Sequence, residues 1–202
     1  MTDVRFYKVL IWINVLVPLS LLGYDAFRGQ LGANPIEFFL RTTGVLTLVC
    51  LLITLSITPL RKITGNNQLI KYRRTLGLFV FFYGCIHLTT YIVFDRGVSL
   101  TGTVADIVQR PFITLGMLAF LLMVPLAVTS TNGMIKRLGG KRWQRLHRLI
   151  YISGVLGVIH FWMLVKSDVF YPAVFGLILS ILLGYRIYSR LKPKTMAARS
   201  AA

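Results

Sequence analysis

Acidic side chains are scarce in this sequence: 6 Asp and Glu stand among 202 residues, against 23 Lys and Arg. Charged residues of both signs make up 14%, where a soluble domain carries about 25%. With 55% apolar residues and a mean hydropathy of +0.70, that shortage excludes an ordinary water-soluble domain. Cysteine is nearly absent as well. Cys50 and Cys85 each sit in an apolar run, without the spacing of a zinc or iron–sulfur motif, and read as small buried thiols. No glycine-rich nucleotide fingerprint is present. No inverted internal repeat of the transporter kind is visible either.

What the chain does have is long uncharged runs: Val9–Tyr24, Thr42–Leu60, Thr75–Phe94, Phe112–Ile135, Leu149–Val165 and Val169–Tyr185. A membrane span takes about 20 such residues, so the runs predict an all-α, polytopic bundle of six transmembrane helices. The first run is lengthened by Lys8 and Asp25 reaching toward headgroups, and the last extends toward Leu191 if Arg186 does the same. Five further spans after the first, and no small-residue cleavage pattern, argue against a removable signal peptide. The expected organisation is one membrane domain over residues 1–191, with no soluble domain appended, then a basic, disordered tail over 192–202. Pro18 and Pro125 fall inside spans and predict kinks.

A net charge of +17 would suit a nucleic-acid protein if it lay on one soluble face. Instead it lies in connectors, which excludes nucleic acid as a partner. The connector between spans 2 and 3 carries Arg61, Lys62, Lys71, Arg73 and Arg74, and that between spans 4 and 5 carries Lys136, Arg137, Lys141, Arg142, Arg145 and Arg148, with no acid in either. The other connectors balance: Asp25 and Glu37 against Arg28 and Arg41, Asp95 and Asp106 against Arg96 and Arg110, Asp168 against Lys166. The positive-inside rule then predicts that both termini face the cytoplasm.

Three histidines are present, His87, His147 and His160. An ionisable side chain within a bilayer is expensive and points to function, although a histidine can also serve as a hydrogen-bonding contact between helices. His87 lies 87 − 75 = 12 residues into span 3 from Thr75, and His160 lies 160 − 148 = 12 residues into span 5 from Arg148. Both are therefore about 18 Å from the basic end, level with each other on helices running the same way. Facing axial ligands of one heme require this placement. His147 lies 13 residues before His160, at the basic interface, where it either ligates a second heme or stands exposed among arginines. Thirteen steps of 100° put it about 140° away from His160 on an ideal helix, so either span 5 is distorted or His147 precedes it. Position 74, level with His147 on span 3, is Arg74 rather than a partner histidine. Gly84, Gly154 and Gly157 allow either a macrocycle or a helix to come close, and Tyr83 and Tyr91 either line a pocket or pack. Arg73, Arg74, Arg145 and Arg148 form a basic collar, suited to anionic lipids or to heme propionates or a flavin phosphate.

The ordered set of motifs resembles a family. RRTLGL at Arg73–Leu78 followed by H-x-x-x-Y at His87–Tyr91, then W-x-x-L-H-R-L-x-Y at Trp143–Tyr151 followed by H-F-W at His160–Trp162, is similar to bacterial ferric-reductase-like membrane domains. With the length and span count, it closely resembles the heme-binding membrane subunits of the periplasmic protein-methionine-sulfoxide reductase system, the MsrQ (YedZ) family. That resemblance implies a b-type cytochrome of the bacterial inner membrane, holding one or two hemes b through His87, His147 and His160. It would pass electrons from respiratory quinones to a periplasmic molybdopterin-containing catalytic subunit, which reduces methionine sulfoxide in oxidised proteins. FMN is associated with the family, though no residue here matches a site for it. Eukaryotic relatives carry a fourth histidine and a flavin–nicotinamide domain, and the departure at Arg74 argues against a full bis-histidine pair of hemes. The other readings are a small membrane transporter and a non-redox anchor subunit. A transporter calls for charge or broken helices at mid-depth, which the spans largely lack.

Overall fold

The computed structural model describes residues 2–165 and 167–191, so the basic tail over 192–202 lies outside the described residues. Six helices are long and apolar enough to cross a membrane, as the uncharged runs require. They are α1 (Thr2–Phe27), α2 (Pro35–Thr64), α3 (Arg73–Thr90) with its continuation to Asp95, α5 (Pro111–Val128), α8 (Leu149–Leu164) with the helical segment that leads into it from Gly140, and α9 (Phe170–Leu191). Among the described residues there is no strand. Helix α2 has the strongest boundaries. Asn34 caps it by accepting from the Glu37 N–H at 3.2 Å, Pro35 occupies its first turn, and Gly65 ends it at φ 70°.

Three features of the connectors were not expected. The fourth apolar run does not continue to Ile135: α5 stops at Val128, and a new short helix, α6 (Asn132–Leu138), starts behind the Thr131 cap. The Thr131 hydroxyl accepts from the Met134 N–H, a local bond that opens the new helix. A second short helix, α7 (Gly140–Leu146), follows Gly139. On the opposite end, the connector over 95–111 folds into α4 (Leu100–Gln109), capped by Ser99. Helix α3 itself runs on from Thr90 through a wider π turn, Tyr91–Asp95.

Packing centres on α2, which lies mainly against α3 and also touches α9 and α8; α5 lies mainly against α8. The shared core contains Leu48, Leu51, Leu55, Phe79, Val80 and Tyr83. Large apolar side chains such as Ile13, Leu121, Ile152 and Ile181 are exposed on the outer faces, as lipid-facing surfaces require. Helices α1 and α5 continue as helix through Pro18 and Pro125. Tyr83 donates from its hydroxyl to the Val15 carbonyl, fastening α3 to α1 three residues before Pro18.

Arg186 departs from the expectation that it reaches for headgroups. Helix α9 does extend to Leu191, but Arg186 turns inward and is buried. Pro59 explains this. A proline has no N–H for the carbonyl four residues back, which here is that of Leu55. The Arg186 guanidinium donates to that Leu55 carbonyl and to Leu182 O at 3.0 Å, and it lies 5.3 Å from the Tyr151 ring centre.

Candidate histidine site between two helix pairs

His87 on α3 and His160 on α8 face each other, with ring centres 6.3 Å apart and ring planes at 84°. The depth count from the sequence thus corresponds to real proximity across the bundle. Both rings line one cavity of about 720 Å³. Its walls near the rings are apolar, including Leu48, Leu51, Phe120 and Met123, and Gly84 and Gly157 line it too.

Each ring is held from behind in the same way. His87 Nδ1 lies 3.0 Å from Leu40 O, and His160 Nδ1 lies 2.6 Å from Phe112 O. A carbonyl only accepts, so Nδ1 is the donor in both, and the tautomer leaves the Nε2 lone pair free. Thr43 Oγ1 adds a contact to His87 Nδ1 at 3.3 Å while donating to Phe39 O at 2.8 Å. A glycine sits under each ring. A Cβ on Gly44 would come within 3.2 Å of His87 Cε1, and one on Gly116 within 2.9 Å of His160 Nδ1. Each glycine stands four residues after the residue whose carbonyl accepts from the histidine: 44 − 40 = 4 and 116 − 112 = 4. The pairs α2–α3 and α5–α8 therefore repeat one device: a carbonyl, a glycine one turn later, and a histidine from the next long helix.

Leu40, Gly44, Phe112 and Gly116 were not singled out from the sequence. A signal did exist. Spans 2 and 4 run opposite to spans 3 and 5, so counting depth from their far ends places Gly44 and Gly116 near the histidines. Of the glycines that were singled out, Gly84 and Gly157 line the cavity, whereas Gly154 packs on Leu51 and Leu179 as a helix contact. The two tyrosines divide likewise. Tyr83 is fully buried in the core, and Tyr91 lines the cavity and donates to Asp106 Oδ2 at 2.8 Å.

His147 lies elsewhere. It is the residue that ends α7, before α8 starts at Leu149, so of the two explanations for its angle to His160 the second holds: it precedes the regular helix. Its ring stacks on Trp143, with centres 3.9 Å apart, and its Nε2 lies 3.0 Å from Thr129 Oγ1. The Thr129 hydroxyl donates to Pro125 O at 2.6 Å, so Nε2 carries the proton toward it. Trp143 Nε1 donates to Thr129 O at 2.9 Å, which closes the cluster. Of the basic collar, Arg74 donates to Asn132 Oδ1 at 2.7 Å and so ties α3 to α6. Among the described residues, no cluster of three or more His, Cys, Asp or Glu is placed to hold a bare metal ion.

Comparison with known proteins agrees with this architecture. The family of ferric reductase like transmembrane components matches residues 43–158, a stretch that holds Gly44, His87, Gly116 and His147 and stops two residues before His160. A protein-methionine-sulfoxide reductase heme-binding subunit MsrQ from Herminiimonas arsenicoxydans is 50% identical over 183 residues, covering 90% of this chain and 84% of the relative. MsrQ subunits from Ralstonia nicotianae and Xanthomonas campestris pv. campestris are 47% and 46% identical, over 92% and 96% of this chain and 87% and 92% of theirs. With its six apolar helices, the chain is a multi-pass membrane protein, and it belongs to the MsrQ family within the ferric-reductase-like transmembrane components.

Proposed function

We propose that this chain is a b-type cytochrome subunit. It takes electrons from the quinone pool of the bacterial inner membrane and passes them to a periplasmic, molybdopterin-containing methionine-sulfoxide reductase. The observation that carries the reading is the spacing of His87 and His160. A metal–imidazole bond is about 2.0–2.1 Å, and a ring nitrogen lies roughly 1.1 Å from its ring centre. Two imidazoles aiming Nε2 at one central metal therefore have centres roughly 6.3 Å apart, and the rings here are 6.3 Å apart. The cavity of about 720 Å³ lies within the range of about 300–1,000 Å³ usual for cofactor sites. Heme b held there supplies one-electron redox chemistry.

The chain's own groups do the rest. Leu40 and Phe112 fix the Nδ1–H tautomers and so aim both Nε2 lone pairs, as partners behind a metal-binding histidine generally do. Gly44 and Gly116 let the rings come close to α2 and α5. The apolar lining around the rings suits an apolar macrocycle. His147 is assigned to a second station nearer the basic end, reached through Trp143 and Thr129. The positive-inside rule, applied to the basic connectors, supports a His147 station nearer the cytoplasm, a His87–His160 station nearer the other side, and a partner docking on the connectors over 25–41 and 95–111. The collar of Arg73, Arg145 and Arg148 suits an FMN phosphate by its charge alone.

Absorption spectroscopy of the purified chain tests the proposal. A Soret band that shifts on reduction, and is reoxidised by the catalytic partner, is the expected result. A colourless protein made with ample heme would overturn it. Solute flux into liposomes from such a protein would favour the transporter reading, and unchanged electron delivery without the histidines would favour a structural anchor.

A further inference from the structure

The cavity around His87 and His160 is chemically lopsided. Around the rings and toward the middle of the bundle its lining is apolar, with Leu48, Leu51, Phe120 and Met123. Toward the end where α2 and α5 begin it turns polar, with Asn34, Arg41, Tyr91, Arg110 and Ser167. Among the described residues, Arg41 and Arg110 are the only Lys or Arg that line it. Their positions are tied to the histidine anchors. Arg41 follows Leu40, whose carbonyl takes His87 Nδ1, and Arg110 is two residues before Phe112, whose carbonyl takes His160 Nδ1.

Heme has the same lopsidedness: an apolar macrocycle with two carboxylates on one edge. Burying a carboxylate without a partner costs several kcal/mol, so that edge has to meet water and cations. Once two axial imidazoles fix the iron, the ring can still rotate about the axis joining them, and the lining decides how it stands. We infer that heme sits here with its propionate edge toward the α2 and α5 N-terminal end, where Arg110 and Arg41 receive the carboxylates. This rests on the heme reading above and assigns two residues that it does not use.

Arg110 is the better prepared of the two. Its Nε lies 3.4 Å from Asp106 Oδ1, and Asp106 is itself buried, held by the Tyr91 hydroxyl at 2.8 Å and by Arg96 Nε at 3.3 Å. An ion pair on the Nε side leaves the two terminal nitrogens of the guanidinium as a fork for a carboxylate. Asp106 acts as a positioning residue for that fork. Arg110 also caps α5, whose N-terminus has no side-chain cap, so the positive end of the helix dipole adds to its charge. Both guanidinium groups are about half exposed, but Arg41 is already paired at 2.6 Å with Glu37, an exposed carboxylate, whereas the partner of Arg110 is the buried Asp106 at 3.4 Å, so the share of Arg41 is smaller. Glu37, Asp95 and Asp168 line the same cavity, so the end is not a plain cationic patch, and carboxylates are drawn to the two guanidinium positions in particular.

The test compares two porphyrins on the full-length chain, produced without heme and reconstituted in detergent: free-acid heme and its propionate dimethyl ester. The spectrum of two axial imidazoles reads out binding without any partner or turnover. The expected result is that the native chain binds the ester about tenfold more weakly than the free acid. Arg110→Gln with Arg41→Gln should reduce that ratio to within about twofold, and Arg110→Lys should restore part of it. Equal affinity of the native chain for both porphyrins overturns the orientation, as does an undiminished ratio in the double variant. A native chain that binds neither porphyrin overturns the heme reading itself, which separates the two failures.

Discussion

The two histidine stations differ in the nitrogen that each offers. At the His87–His160 station both rings give Nδ1–H to a backbone carbonyl, lie against a glycine and leave Nε2 open to a shared cavity. At the His147 station Nε2 is taken by Thr129 and one ring face is covered by Trp143. Backbone carbonyls on long helices do not reorient, whereas a threonine hydroxyl and a short helix can. The first station is prepared for ligation by its scaffold. The second would have to give up its Thr129 hydrogen bond before Nε2 could ligate anything.

That contrast can be broken most decisively at the ligands. His87→Ala and His160→Ala should each abolish the six-coordinate, bis-imidazole spectrum of the purified chain. His147→Ala should leave that spectrum in place and lower electron delivery instead. Loss of the bis-imidazole spectrum in His147→Ala alone would reverse the assignment. A smaller effect is expected from Gly116→Ala. A Cβ 2.9 Å from His160 Nδ1 forces the ring or the helix to move, and a displacement of that size should weaken heme retention by about tenfold. Gly44→Ala, with its closest approach at 3.2 Å, should cost less, which heme off-rates can rank. The smallest change is Thr129→Val. It removes the partner of His147 Nε2, a bond worth about 0.5–1.5 kcal/mol, and should alter the rate of electron delivery without changing the His87–His160 spectrum.

Helix number was legible because a bilayer imposes a length of about 20 apolar residues, and nothing else in the chain imitates that signal. The level placement of His87 and His160 was legible for a related reason: rise per residue converts position into depth. Helix α4 was not, since LTGTVADIVQ is short and mixed in polarity and looks like a loop until its buried Asp106 meets Arg96 and Arg110. Gly44 and Gly116 were hidden for another reason. A glycine inside an apolar run carries no mark of which neighbour leans on it, and only the crossing of α2 with α3, and of α5 with α8, shows that the neighbours are imidazoles. Arg186 read as an interfacial cation because the run to which it belongs ends nearby. Its inward turn depends on Pro59, a residue 127 positions earlier (186 − 59), whose missing N–H no local pattern connects to it.

That link between Pro59 and Arg186 bears on how the chain is assembled. Helix α9 follows the other five long helices in the chain and brings a guanidinium that, among the described residues, has no carboxylate in an ion pair with it, so as a lone segment it inserts at a penalty. The Leu55 carbonyl left open in α2 offers that cation a berth, but only when α2 is already in the membrane and correctly turned. Closure of the bundle by its final helix thus reports on the placement of its second. A Pro59→Ala chain, with the Leu55 carbonyl returned to its own helix, would lose that checkpoint during biogenesis while keeping every residue of the histidine site.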